Sequence, residues 1–302
     1  MNIAPKRPHF RHPARLTFAT AAASLLAACS TTLPSLPALS QDRGDGMTAE
    51  LGPGEDPTYA DLVTFALEAE LVATVQIDEA IAFSQERAPN VPANRVRLYI
   101  ESLTQNLLTA PRGVGESLVF VTETDREADG DAPDWEERNF VIFADMSMTQ
   151  PNAVQLISSR AMFPSGPILQ ERVRRVLRQI AAADAPPPIT GVRDVISVPG
   201  NLAGESETQM FVETTTGAPV SLTVIRRPGR APEWGVSLGE IVDVSARPPE
   251  PETLAWFRFA CFLPETLADG AFLQNDAESR RRAREDYAFV REQLGPCERR
   301  YS

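Results

Sequence analysis

Five stretches of the chain alternate apolar with polar or charged side chains or are rich in strand-forming residues. A period of two is the pattern that most narrows the folds open to it. Leu71, Ala73, Val75, Ile77, Ile81 and Phe83 share one parity and Thr74, Gln76 and Asp78 the other, which predicts a strand buried on one face only. Residues 95–101 alternate again, and 117–123, 139–145 and 154–159 are rich in β-branched and aromatic side chains. A helix precedes them. Thr58 is its predicted N-cap, and Leu62, Phe65, Ala66 and Leu67 face inward as it runs to Glu68. One helix followed by five strands predicts an antiparallel β-meander or a small open barrel.

Pro164 and Pro167 break this pattern and open an amphipathic helix. Leu169, Val173, Val176, Leu177 and Ile180 form its apolar stripe, with Arg172, Arg174, Arg175 and Arg178 on the other side. The run Pro186-Pro187-Pro188 is its predicted end. Strands are expected over 192–198, 207–214 and 220–226, the last two as a hairpin turning at Thr216-Gly217-Ala218, and a further strand over 234–244. An apolar segment over 254–263 contains Cys261. The final helix takes Asn275 as predicted N-cap, with Glu278 three residues on and Gly295-Pro296 as the stop. The fold class is therefore α+β: a meander or small open barrel followed by a sheet with packed helices.

The first residues carry Lys6, Arg7, Arg11 and Arg15 without an acid, and an apolar run from Leu16 to Ala28 follows. That run fits the roughly 7–15 residues of a secretory leader and is shorter than the ~20 that span a bilayer. It ends Leu26-Ala27-Ala28-Cys29-Ser30. These residues resemble the lipobox of bacterial lipoproteins. The resemblance implies a diacylglycerol thioether at Cys29, cleavage after Ala28, and a membrane contact made through two or three acyl chains. The other reading is an ordinary leader cut after Ala23, with Ala21 three residues from the bond. Ser30 in place of Asp implies, by resemblance to enteric lipoproteins, the outer membrane, with the chain facing the periplasm.

Further strings, Tyr59-Ala60-Asp61-Leu62, Arg97-Leu98-Tyr99, the run from Pro199 to Gln209, and Gln293-Leu294-Gly295-Pro296-Cys297, resemble uncharacterised exported proteins of alphaproteobacteria. That resemblance implies no activity. The element order from about 139 to 263 is similar to that of PsbP-like domains. The expected plan is a leader over 1–28, a flexible tether over 29–57, a β-rich subdomain over 58–160 and an α+β subdomain over 161–302 closed by a disulfide. A mature chain of 274 residues accommodates one large domain or two smaller ones.

Loss of the leader changes the chemistry more than the length. Lys6 is the only Lys, and His9 and His12 are the only His, so the mature chain carries 25 Arg against 41 acids, a net charge of −16. Without His there is no Ser-His-Asp or Cys-His activation and no imidazole metal site. Without Lys there is no Schiff base and no phosphate-binding P-loop. With Cys29 committed to lipid, Cys261 and Cys297 remain as an even pair in an oxidising compartment, the expected disulfide. The acidic balance argues against binding nucleic acid by net charge. No cofactor is expected, and the expected partner is an envelope or periplasmic protein.

Several clusters are candidate sites. Asp125, Glu127, Asp129, Asp131, Asp134, Glu136 and Glu137 could offer oxygens to Ca²⁺, but their spacing misses the EF-hand pattern, and a solvated loop explains them. Arg172, Arg175 and Arg178 are candidates for an anionic partner, set against a helix face paired with nearby acids. Trp135, Trp234 and Trp256 with Tyr59, Tyr99 and Tyr287 could line a sugar or lipid groove, or pack the core. Arg43-Gly44-Asp45 in the tether resembles integrin ligands, a tripeptide that chance explains. On the final helix, Glu278–Arg282, Arg281–Glu285 and Arg282–Asp286 are predicted i,i+4 pairs. Glu205 and Glu207, on one face of a strand about 6–7 Å apart, are the candidate catalytic pair of an alternative reading, a carboxylate hydrolase of peptidoglycan or another glycan. The leading expectation is a lipoprotein that binds or scaffolds without catalysis.

Overall fold

All five stretches become strands. The computed structural model describes residues 56–239 and 246–302. Strands β1 (Leu71–Ala82), β2 (Arg95–Thr109), β3 (Ser117–Asp125), β4 (Asn139–Met146) and β5 (Val154–Leu156) form an antiparallel sheet in the order β3-β2-β1-β4-β5, and β6 (Met162–Pro164) also pairs with β4. The sheet curls until its ends meet. The Val119 N–H donates to the Asn152 carbonyl at 2.8 Å, and Val119 and Ala153 bridge β3 to the approach to β5. The result is a nearly closed small barrel. Side chains such as Val75, Leu98, Ile100, Leu118, Phe120 and Ile142 fill its interior, so the barrel is packed as a core.

Strand β1 departs from the one-faced reading at both ends. Val72 and Thr74 are buried together with Leu71, Ala73, Val75 and Ile77. The cause is α1 (Tyr59–Glu68), which lies across the outside of the barrel and packs Leu62 and Phe65 with Val72, Val141 and Phe143. Beyond Ile77 the register with β2 slips, and the bulge inverts the parity. Ala80 then packs against the core while Ile81 is 44% exposed.

Helix α1 begins at Thr58 through a reciprocal cap. The Asp61 N–H donates to the Thr58 hydroxyl and the Thr58 N–H to the Asp61 carboxylate. Helix α2 (Pro167–Ile180) opens with proline in its first turn and buries Leu169, Val173 and Val176. It stops at Ile180, more than a turn before the proline run.

The second sheet contains β7 (Ile189–Pro199), β8 (Ser206–Thr214), β9 (Val220–Arg226) and β10 (Glu233–Ser237), antiparallel in the order β10-β9-β8-β7. Residues 240–245, from the far end of the predicted strand over 234–244, lie outside the described residues. The apolar segment proves to be helix α3 (Leu254–Phe262), capped by the Thr253 hydroxyl. It shows no amphipathic period because it is buried on two sides. Leu254 and Phe257 join the core around α1 and α2, while Phe259 and Ala260 join the core under the second sheet.

Helix α4 (Ala277–Leu294) covers that sheet, packing Ala283, Tyr287 and Val290 against Met210, Leu222 and Trp234. Its N-cap is Asp276, not Asn275: the Asp276 carboxylate accepts from the Ser279 N–H at 2.8 Å. Gly295, at φ 72, ends it as expected. Cys261 and Cys297 form a disulfide with their Cα atoms 5.1 Å apart, which ties α3 to the segment after α4. Among the described residues no helix is long and apolar enough to cross a membrane.

Candidate functional site

The Thr58 cap fixes Tyr59 as the first residue of α1. Its phenol donates to Gln179 Oε1 on α2 at 2.5 Å, and the same oxygen accepts from the Leu254 N–H of α3 at 2.9 Å. The Tyr59 ring meets Trp256 edge to face at 6.1 Å, and the Trp256 indole N–H donates to the Leu294 carbonyl at 2.8 Å. Four helices thus hold two aromatic rings in place. Beside them runs a groove of about 470 Å³, lined by Tyr59, Trp256, Arg172, Glu252, Glu298 and Arg300 among others.

The chain enters the fold through this groove. Arg172 donates to the Pro57 carbonyl at 2.8 Å, and Arg300 donates to that of Asp56 at 3.1 Å. Burial pushes the Tyr59 phenol far above the ordinary tyrosine range, with Glu252 adding to the rise and Arg175 opposing it. Tyr59 therefore serves as a neutral hydrogen-bond donor across the whole physiological range. With its mixed charges and two fixed aromatic rings, the groove can recognise a ligand by stacking and hydrogen bonding.

The three predicted anion-binding arginines go to three different partners. Arg172 holds the Pro57 carbonyl, Arg175 lies 4.0 Å from Glu252, and Arg178 bonds Glu171 at 2.7 Å. The hydrogen bond from Arg178 holds the Glu171 carboxyl below its usual range. Only Arg172 reaches the groove.

Glu205 and Glu207 each accept local hydrogen bonds. Glu205 precedes β8, and its carboxylate folds back to accept from the N–H groups of Asn201 and Leu202 at 3.0 and 3.2 Å. Gly200 makes room for it, since a Cβ there would stand 2.3 Å from the Glu205 side chain. Gly204, at φ 84, completes the turn. Glu207 lies on β8 and accepts from Gln209 at 2.7 Å.

The remaining aromatics divide between grooves and cores. Trp234 and Tyr287 are buried under the second sheet, and burial pushes the Tyr287 phenol up to about 12. Trp135 packs on Phe140 at the barrel end, and Tyr99 lines an outer groove at the barrel seam with Arg97. In the acidic loop Asp129 and Asp134 cap local turns, accepting from the N–H groups of Asp131 and Glu136. Among the described residues no cluster of three or more His, Cys, Asp or Glu is placed to hold a metal. Cys29 and Arg43-Gly44-Asp45 lie outside the described residues.

Two acids acquire roles the sequence did not suggest. Asp61 is buried and accepts from the backbone N–H groups of Arg300, Tyr301 and Ser302, so it clasps the C-terminus onto α1. It also completes the Thr58 capping box, but nothing local announces a ligand from the other end of the chain. Asp286 is also buried, and rather than pairing with Arg282 it faces the sheet, accepting from Arg226 at 2.5 Å and from the Thr208 hydroxyl. The other two predicted pairs form, Arg282 with Glu278 at 2.9 Å and Arg281 with Glu285 at 2.8 Å. Comparison with known proteins adds no assignment: no protein-family model matches the chain, and no curated protein matches it.

Proposed function

We propose that the chain is a cell-envelope lipoprotein, held through Cys29 in the outer membrane and facing the periplasm, whose folded part binds or scaffolds a protein partner without catalysis. The observation that carries this reading is the groove of Tyr59, Trp256 and Arg172 beside Pro57. The residue inventory supports it, since the mature chain retains neither His nor Lys. So does the use of Glu205 as a turn-forming acceptor. The filled barrel offers no support for a carrier of lipophilic ligands.

A photo-crosslinking residue placed at Glu252 or at Glu298 in living cells should capture one defined envelope protein. The same residue at the exposed Met148, away from the groove, should not. Cys29→Ala should abolish lipid labelling and release the chain from the membrane. Turnover of peptidoglycan by the purified protein, lost in Glu207→Gln, would overturn the reading in favour of a carboxylate hydrolase.

A further inference from the structure

Buried arginines are nearly always paired, and a chain with 41 acids has partners in plenty. Among the described residues Arg258, in the middle of α3, has none. It is 9% exposed, its Nε is closed to solvent without a hydrogen bond, and no acceptor among the described residues pairs with its guanidinium. Burial lowers its pKa, and no neighbouring charge opposes that fall.

The surroundings supply a second cation and an apolar wall. One helical turn beyond Arg258 stands Phe262, which is 40% exposed and meets Phe257 edge to face at 5.4 Å. The Arg299 guanidinium lies 5.8 Å from both ring centroids, and that of Arg258 lies 5.9 Å from the Phe257 centroid. Arg299 also bonds no acceptor among the described residues. It is nonetheless held in place from both sides. The disulfide fixes Cys297 two residues before it, and the Asp61 clasp fixes residues 300–302 directly after it.

We propose that Arg258, over Phe257, and Arg299, over both Phe257 and Phe262, form a binding site for an oxyanion carried on an apolar group. Guanidinium groups bind carboxylate and phosphate oxygens through charge-assisted hydrogen bonds. The half-exposed Phe262 offers the apolar contact beside them. Because the chain as a whole repels anions, selection rests on contact at the site rather than on long-range attraction. None of the four residues lines the groove at the chain entry, so this site stands or falls independently of the proposed function.

Calorimetric titration of the full chain, disulfide intact and Cys29 replaced by Ser, tests it with two probes. Hexyl phosphate should bind about tenfold tighter than inorganic phosphate, the gain from burying one or two methylenes. Arg258→Met and Arg299→Gln should each weaken hexyl phosphate binding about tenfold or more. Arg258→Met should also raise the melting midpoint, because it removes a buried unpaired charge while keeping the volume. Vesicles containing phosphatidylglycerol, compared with pure phosphatidylcholine, identify the source: retention that depends on Arg258 assigns a lipid headgroup, and hexyl phosphate binding without retention assigns a soluble anion. Equal affinity for the two phosphates, or affinities unchanged in both variants, overturns the site. A melting midpoint lowered by Arg258→Met with hexyl phosphate binding intact makes Arg258 structural and overturns it as well.

Discussion

A carboxylate removed from water needs donors on every side, and Asp61 finds them at the far end of its own chain. The backbone N–H groups of Thr58, Arg300, Tyr301 and Ser302 and the Ser302 hydroxyl all point at it. Burial alone would raise its pKa, but the hydrogen bonds from Tyr301, Thr58 and Arg300 outweigh burial and hold it below the usual carboxylate range. A depressed pKa in the folded state means stability that is complete above the unfolded pKa of about 4 and is lost as pH falls through the folded value. Asp61→Asn should therefore cost about 2–3 kcal/mol at pH 7, and urea denaturation should show the gap to the parent narrowing below about pH 4. A gap independent of pH would show that the charge is not what holds the tail. Glu205 allows a second test at this scale. Gly200→Ala and Glu205→Ala attack one turn, so each should destabilise by about 1 kcal/mol and the double variant by clearly less than the sum. Additive losses would separate the glycine from the carboxylate.

Elements were legible where a local rule decides them and illegible where packing does. The strands over 71–82 and 220–226, the Thr58 cap and the Gly295 stop follow from period, capping and turn chemistry. The bulge after Ile77 does not, since one inserted residue leaves the composition of β1 unchanged while exchanging its faces. Nor does α3, whose apolar run conceals a helix buried between two cores. Of the candidate sites, Tyr59 and Trp256 were visible as aromatics but not as neighbours, and nothing local announces that Arg258 and Arg299 both approach the Phe257 ring. Helix α4 shows the difference most clearly. Spacing makes Arg282–Asp286 and Arg281–Glu285 equivalent, yet Asp286 is fully buried against Arg226 and Thr208 while Glu285 is exposed. Asp286→Ala should then cost about 1–3 kcal/mol by removing the acceptor of the buried Thr208 hydroxyl and of the half-buried Arg226, and Glu285→Ala only a few tenths. Thermal unfolding of the two variants separates the outcomes, and similar losses would place Asp286 on the solvated face after all.

At the scale of the whole molecule, the point where the chain enters the fold and the point where it ends are fastened to each other. Arg172 and Arg300 hold the entering carbonyls of Pro57 and Asp56, Asp61 holds residues 300–302, and Tyr301 packs edge to face on Phe163 at 5.2 Å. The disulfide anchors the same tail to α3 across a sequence separation of 36, a loop whose closure is worth about 4 kcal/mol on the chain-entropy model. Two ties on one short tail cannot act independently. Once Cys261→Ser with Cys297→Ser frees the tail at Cys297, ordering it against Asp61 costs more conformational entropy, and the clasp is partly lost with the bond. The disulfide-free variant should therefore lose more than the loop entropy alone predicts, and Asp61→Asn should cost less in that background than in the parent. A double-mutant cycle by urea denaturation reads this directly as a coupling on the order of 1 kcal/mol. A coupling near zero would mean that the clasp and the disulfide stabilise separate parts of the molecule.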